Sequence, residues 1–290
     1  MLSMACVAPA AAQAVTGSFF YSRDSDSFEE TRVGAGWVAD NGFGIAASAV
    51  RFSAPGWSES GVTLAGTYRE YTRNKQVDVS LGVLDLAGDQ YVVGLADYMY
   101  RWNSGNGLGF ALERNVVNSQ GGIEDQIVQN TAVLVGDYLF TPSFNVGLAG
   151  GLTYFSDGNV RPVVRTRWNY ELVPDYGLNA YLKTRSYTNS DPYRPQYYSP
   201  SRLNEASLGL SSRWLAHERA VLSLALDGGI QATESDNEPI WSAFFGLASP
   251  RNEPIRWSVG LLATNTSSFL TTQSGAYRYL SATAQIYIPF

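Results

Sequence analysis

From residue 15 to the end, apolar side chains recur at every second position in one segment after another. No uninterrupted apolar run reaches the roughly 18 residues of a spanning helix. In VRPVVRTRWNYEL (160–172) one face is Val160, Pro162, Val164, Thr166, Trp168, Tyr170 and Leu172, and the other is Arg161, Val163, Arg165, Arg167, Asn169 and Glu171. A period of two puts successive side chains on opposite faces of a strand. SFNVGLAGGLTYF (143–155) and GLNAYLKTRSYT (177–188) repeat the pattern. About sixteen such segments lie between turn signals, at the spacing of bacterial outer-membrane barrels. They are 15–23, 30–38, 43–53, 61–73, 75–86, 90–103, 107–118, 126–141, 143–155, 159–172, 177–189, 202–215, 219–232, 239–249, 254–266 and 276–290. The expected fold is all-β, a transmembrane antiparallel up-and-down β-barrel of about sixteen strands spanning 15–290 in a bacterial outer membrane.

A soluble sandwich would show the same period, so composition has to separate the two. Charged residues are only 16% of the chain, too few to coat an ordinary soluble surface, while aromatic residues reach 13%. Large aromatics sit near strand ends on the apolar face, among them Trp37, Tyr68, Tyr98, Trp102, Tyr138, Trp168, Tyr170, Trp214, Trp241 and Trp257. Those are the places of interfacial girdles, so lipid is the expected outer partner, with lipopolysaccharide beside it. Connection lengths point the same way: DNG, RNK and TPS are short, whereas DSDSFEE (24–30), APGWSES (54–60), SQGGIED (119–125), SDPYRPQYYSP (190–200) and NTSSFLTTQSG (265–275) read as long outer loops.

Residues 1–14 end in Ala12-Gln13-Ala14, the small-x-small pattern of a signal-peptidase site, and are expected to be a signal peptide that is removed. The last strand, SATAQIYIPF, turns Ile286, Ile288 and Phe290 to one face, and a terminal aromatic there resembles the signal read by the barrel-assembly machinery. Closure of the last strand on the first would leave no free edge in hydrocarbon.

Sixteen strands leave room for an aqueous channel. The polar faces would line it with Arg69, Arg73, Arg161, Arg165, Arg167, Lys183, Arg185 and Arg213, interleaved with Tyr181 and Tyr187. Guanidinium groups hydrogen-bond hydroxyls and tyrosine rings lie against sugar faces, so such a wall could pass a glycan. Alternatively, these groups pair with one another and keep the wall rigid and wet.

The stretch YYSPSRLNEASLGLSSRW (197–214) resembles the C-terminal barrel of outer-membrane exopolysaccharide exporters, especially the cellulose-synthesis component. The closing TQSGAYRYLSATAQIYIPF (272–290) is similar in style to poly-N-acetylglucosamine exporters. The resemblance implies passive export of a polysaccharide, with Tyr197, Tyr198, Ser199, Pro200 and Arg202 flanking the outer mouth. Exporters of this kind carry a helical-repeat periplasmic region. Here a separate partner would supply it, or the chain is a piece of a longer exporter, or the likeness is to smaller barrels of related type.

Other classes fit less well. A net charge of −6 argues against nucleic acid. The lone cysteine, Cys6, falls in the leader, and the lone histidine, His217, in a periplasmic turn, so no catalytic, metal or cofactor site is expected. A general diffusion porin is the alternative pore. It would be expected to narrow its channel with one long inward loop, and the longest connections here have only about eleven residues. A third alternative is a structural or adhesive barrel filled by its own side chains.

Overall fold

The computed structural model describes residues 13–103, 105–266 and 277–290. Most of the predicted leader and most of the 265–275 loop lie outside them. Sixteen antiparallel strands form one closed sheet, each paired with its neighbours in sequence and β16 with β1. The first eight are β1 (Ala14–Asp24), β2 (Glu29–Val38), β3 (Phe43–Ala54), β4 (Trp57–Tyr71), β5 (Lys75–Leu86), β6 (Asp89–Arg101), β7 (Gly107–Val116) and β8 (Val128–Thr141). The second eight are β9 (Phe144–Phe155), β10 (Val160–Val173), β11 (Leu178–Thr188), β12 (Arg202–His217), β13 (Ala220–Thr233), β14 (Asn237–Ala248), β15 (Arg256–Thr264) and β16 (Tyr279–Pro289). Among the described residues, no helix is long and apolar enough to cross a membrane.

Closure is in register from Ala14↔Pro289 to Asp24↔Tyr279, and the Phe290 N–H donates to the Gln13 carbonyl at 2.9 Å. No edge amide is left to face lipid along this seam. Ile286 and Ile288 point outward, and Phe290 is 71% exposed.

The large apolar side chains are on the outside. Leu64, Leu134 and Leu208 are each about two-thirds exposed (64%, 67% and 67%), and Trp37, Tyr138, Trp168, Tyr170 and Trp241 lie on the same face. Only acyl chains make such a surface stable. We expect Leu134→Arg, at the middle of β8, to lower folding stability in phospholipid vesicles by about 2–4 kcal/mol. The inward Val135→Arg should cost clearly less, measured by denaturant titration.

Both described chain ends lie at one end of the barrel, with the turns at 39–42, 72–74 and 142–143. The opposite end carries the long connections 117–127, 189–201 and 265–278, so it is the extracellular one. Two expected outer loops prove to be strand. APGWSES shrinks to Pro55 and Gly56, with Gly56 at φ 77, because β4 begins at Trp57. DSDSFEE shrinks to 25–28. Above the bilayer both strand faces meet water, so the alternation fades before the hydrogen-bond ladder ends.

A candidate channel and its covered mouth

Sheet spacing and strand tilt give a sixteen-strand barrel a backbone diameter of about 30 Å. Arg165 and Glu113 both face inward yet are exposed, so open space lies beside them. Charge on this inner wall is segregated. β10 and β11 place Arg165 directly opposite Arg185 and Arg167 opposite Lys183. Like charges in register destabilise a sheet, and only part of this charge is neutralised locally. Arg185 makes a two-pronged pair with Glu205 at 2.7 and 2.8 Å, and Lys183 meets Asp227 at 2.8 Å. Arg165 has no ion pair among the described residues.

Around the barrel the sign reverses. Asp78 on β5 lies opposite Asp97 on β6, with Glu113 on β7 and Asp137 on β8 beyond. Arg69 approaches Asp78 at 3.4 Å and Arg101 approaches Asp137 at 3.7 Å. Asp97 and Glu113 have no cation partner among the described residues. The channel thus has a basic arc on β10–β11 and an acidic arc on β5–β8.

Of the residues expected to line the channel, Arg69, Arg161, Arg165, Arg167, Lys183, Arg185, Arg213, Tyr181 and Tyr187 share strands and parity with the inward groups just named. Arg73 does not: it is an exposed residue of the 72–74 turn, two positions beyond the end of β4. The tyrosines are not open platforms for sugars. Tyr181 is buried, donates to Asp227 at 2.9 Å and has the Arg167 guanidinium 4.1 Å from its ring centre. Tyr187 lies between Arg161 at 4.7 Å and Arg185 at 5.4 Å. These rings stiffen the basic arc and spread its charge.

At the extracellular end two connections fold inward. The 117–127 connection, short as it is, contains one helical turn, α1 (Gln120–Glu124), capped by the Ser119 hydroxyl. Its Ile123 packs into an apolar cluster with Phe28, Val50, Phe52, Leu84 and Leu86. Val50, Phe52, Leu84 and Leu86 are inner-wall positions, where polar side chains were expected. Trp57, expected in a loop, stacks on Phe28 against the same cluster. The opposite side of the mouth is covered by 189–201. Tyr197 stacks on Phe155 at 4.6 Å and donates to Asp157 at 2.9 Å. Arg161 holds the Asn189 side chain at 2.8 Å and the Tyr198 carbonyl at 2.7 Å. Buried Asn159 donates to both Asn189 and Tyr197. Tyr197, Ser199 and Pro200 are therefore buried within this cover, where sequence had them flanking the mouth, and Arg202 starts β12.

The two connections meet. The Ser119 hydroxyl donates to the Gln196 carbonyl at 2.6 Å, and the Gln196 amide donates to Asp125 at 2.7 Å. On the far side, Asn118 donates to Glu30 on β2 at 2.6 Å. The 117–127 segment thus forms a chord from β2 to the segment preceding β12. Phe155, Asn159, Ile123 and Gln196 do this work, and sequence did not single them out. The one signal available was the run of apolar residues on the wrong face, Val50, Phe52, Leu84 and Leu86.

The base of 189–201 is clamped by Glu234, whose carboxylate accepts the N–H groups of Ser201 at 3.0 Å and Arg202 at 3.2 Å. Burial raises its pKa, but the Tyr193 hydroxyl and the backbone donors outweigh that and hold it down at about 2. A lowered folded-state pKa means the clamp is fully present above the ordinary carboxylate value and is lost as pH falls from about 4.5 toward 2. Single-channel recordings should show openings becoming more frequent across that window, and Glu234→Gln should remove that step.

Among the described residues no group of histidine, cysteine and carboxylate side chains could hold a metal. His217, at the end of β12, is exposed. No protein-family model matches the sequence, and no curated protein matches it. Solved structures do match. One, described as a bacterial polysaccharide outer membrane secretin, gives a TM-score of 0.76 at 14% identity, covering 98% of this chain and 100% of that one. Pseudomonas aeruginosa OpdQ gives 0.44 at 10% identity, covering 98% and 100%. At these identities the likeness concerns the fold. With its apolar outer belt, the chain is a bacterial outer-membrane β-barrel.

Proposed function

We propose that this barrel is a gated pore through which an exopolysaccharide leaves the cell. The observation that carries the proposal is the pairing of a wide, charge-lined channel with a mouth spanned by two connections that meet at a few hydrogen bonds. A polymer extruded from the periplasm would part that seam, while small solutes are held back when no polymer is present. Hydroxyl-rich chains suit a wall of guanidinium, amide and carboxylate groups, whose hydrogen bonds to hydroxyls replace bonds to water at a modest net gain and so exchange readily. The secretin whose fold this chain shares is in keeping with that cargo. Arg165, Arg167 and Arg213 are the proposed polymer contacts, Tyr197 to Arg202 the moving cover, and a periplasmic helical-repeat protein the partner that delivers the chain. Ile286, Ile288 and Phe290 are the proposed docking edge for the barrel-assembly machinery.

One observation favours the general diffusion porin instead: the 117–127 connection does fold inward, despite its modest length. Liposome swelling separates the two. Intact protein should admit mono- and disaccharides slowly or not at all, whereas brisk swelling would establish the porin. In producing cells, loss of the chain should strand the polymer in the periplasm, and undiminished export would contradict the proposed cargo.

A further inference from the structure

On the outer wall of β2 to β5, toward the extracellular end, the lipid-facing surface dips into a groove of about 570 Å³, within the range of small-molecule sites. The ladder explains its shape. Val33, Ala49, Val62 and Asp85 pair successively across β2, β3, β4 and β5 and form one row. The small Ala49 lies between two valines that stand 54% and 58% exposed, which leaves a trough between ridges. One step further toward the extracellular end, Thr31, Arg51 and Ser60 form the next row, a guanidinium between two hydroxyls. The groove therefore has a cation in its outermost row and a single carboxylate in the otherwise apolar row beneath.

These two rows mark the extracellular limit of the hydrocarbon. The outward residues of β3 run Phe43, Ile45, Ala47 and Ala49, then turn polar at Arg51 and Ser53, just before the 55–56 turn. Arg51 and Asp85 are exposed, and neither side chain has an ion-pair partner among the described residues. Charged groups at such a boundary need partners, and here the leaflet has to supply them. The outer leaflet of a bacterial outer membrane presents lipopolysaccharide, anchored by lipid A, a phosphorylated and acylated glucosamine disaccharide. Its phosphates lie at the surface of the hydrocarbon, and just beneath them come the amide N–H groups and 3-hydroxyls at the heads of its acyl chains. A glycerophospholipid has ester-linked chains and offers no donor at that lower level.

We infer that this groove seats the lipid A anchor of lipopolysaccharide. One phosphate meets Arg51 with the Thr31 and Ser60 hydroxyls, an amide N–H or 3-hydroxyl donates to Asp85 in the row beneath, and one acyl chain lies over Ala49. Guanidinium and hydroxyl donors suit phosphate oxygens, and a carboxylate accepts from both N–H and O–H groups. Arg51 and Asp85 stand two strands apart, about 10 Å across the sheet, too far for a direct salt bridge. One phosphorylated glucosamine with its amide-linked chain bridges them. The site faces lipid and is independent of what passes through the channel.

The test is native mass spectrometry of delipidated full-length protein in detergent, titrated with bisphosphorylated lipid A, phosphate-free lipid A or phosphatidylglycerol. Bisphosphorylated lipid A should bind in a saturable first step, roughly fivefold tighter than either of the others. Arg51→Gln should bring it down to the level of the phosphate-free form. Asp85→Leu is the sharper test, because removing a carboxylate from beside a phosphate would by charge alone strengthen the binding of an anionic lipid. The inference requires the opposite for lipid A. Both of its forms should bind roughly three- to tenfold more weakly, while phosphatidylglycerol binds as well as before or better. Equal binding of bisphosphorylated lipid A and phosphatidylglycerol to wild type would overturn the inference. So would lipid A binding undiminished by Arg51→Gln, or binding that is unchanged or stronger in Asp85→Leu. Both positions are exposed on the outer wall, and heat-modified gel mobility confirms that each variant is folded.

Discussion

Gly121→Cys combined with Gln196→Cys should give a pore that shuts on oxidation and opens on reduction. A Cβ placed on Gly121 lies 3.4 Å from the Gln196 Cβ and 2.8 Å from its Cα, so the two segments must move slightly apart to reach the Cβ separation of about 3.5–4.5 Å found in disulfides. The bond would join the two inward connections where only hydrogen bonds now hold them. Planar-bilayer recordings of the oxidised protein should be silent, and dithiothreitol should restore openings. Ile123→Ala acts in the other direction. Removing a buried isoleucine side chain costs about 2–5 kcal/mol, and every 1.4 kcal/mol is about tenfold in an equilibrium. If the cover lifts as a unit, open probability should rise by a factor of roughly 30 or more. Unchanged conductance in both variants would mean that 117–127 and 189–201 are fixed lining and that current follows another path.

The second large effect concerns selectivity. Arg165→Glu with Arg167→Glu turns the centre of the basic arc acidic, leaving Arg161 and the already paired Lys183 and Arg185 as the cations of β10–β11 that face the carboxylates of β5–β8. A wall lined by one sign of charge focuses the field and concentrates counter-ions by about tenfold or more. The chloride-to-potassium permeability ratio should fall by roughly that factor, read as a shift in reversal potential under a salt gradient. The barrel should still insert, because both side chains face the channel and Arg165 holds no ion pair among the described residues. Arg167 does lose its contact with Tyr181 and a 2.8 Å hydrogen bond to Asn169. A small drop in melting temperature is therefore expected alongside the change in selectivity.

The wall of the barrel was legible because lipid on one side and water on the other impose a strict alternation, which sequence displays directly. β5, expected at 75–86, runs Lys75–Leu86, and β9, expected at 143–155, runs Phe144–Phe155. The alternation fails where the two solvents become the same. WSESG looks like loop because both its faces meet water or packed protein above the bilayer, yet the ladder from Ser53↔Ser58 to Arg51↔Ser60 continues through it. The mouth was hidden for a different reason. Whether 117–127 hangs outside or folds inward depends on long-range packing of Ile123 with residues from β3 and β5, and no local pattern in SQGGIED carries that information. The inward direction of Tyr181 and Tyr187 followed from parity, but the guanidinium groups over their rings come from neighbouring strands and a register that sequence does not display.

Cysteine accessibility at two adjacent residues addresses most directly the claim that one face of every strand meets acyl chains and the other meets water. With Cys6 changed to Ser, Val164→Cys and Arg165→Cys would each be reconstituted in liposomes and exposed to a small, charged methanethiosulfonate. Position 165 should react readily and position 164 should stay protected. A labelled 164 with a protected 165 would invert the barrel wall and contradict the account.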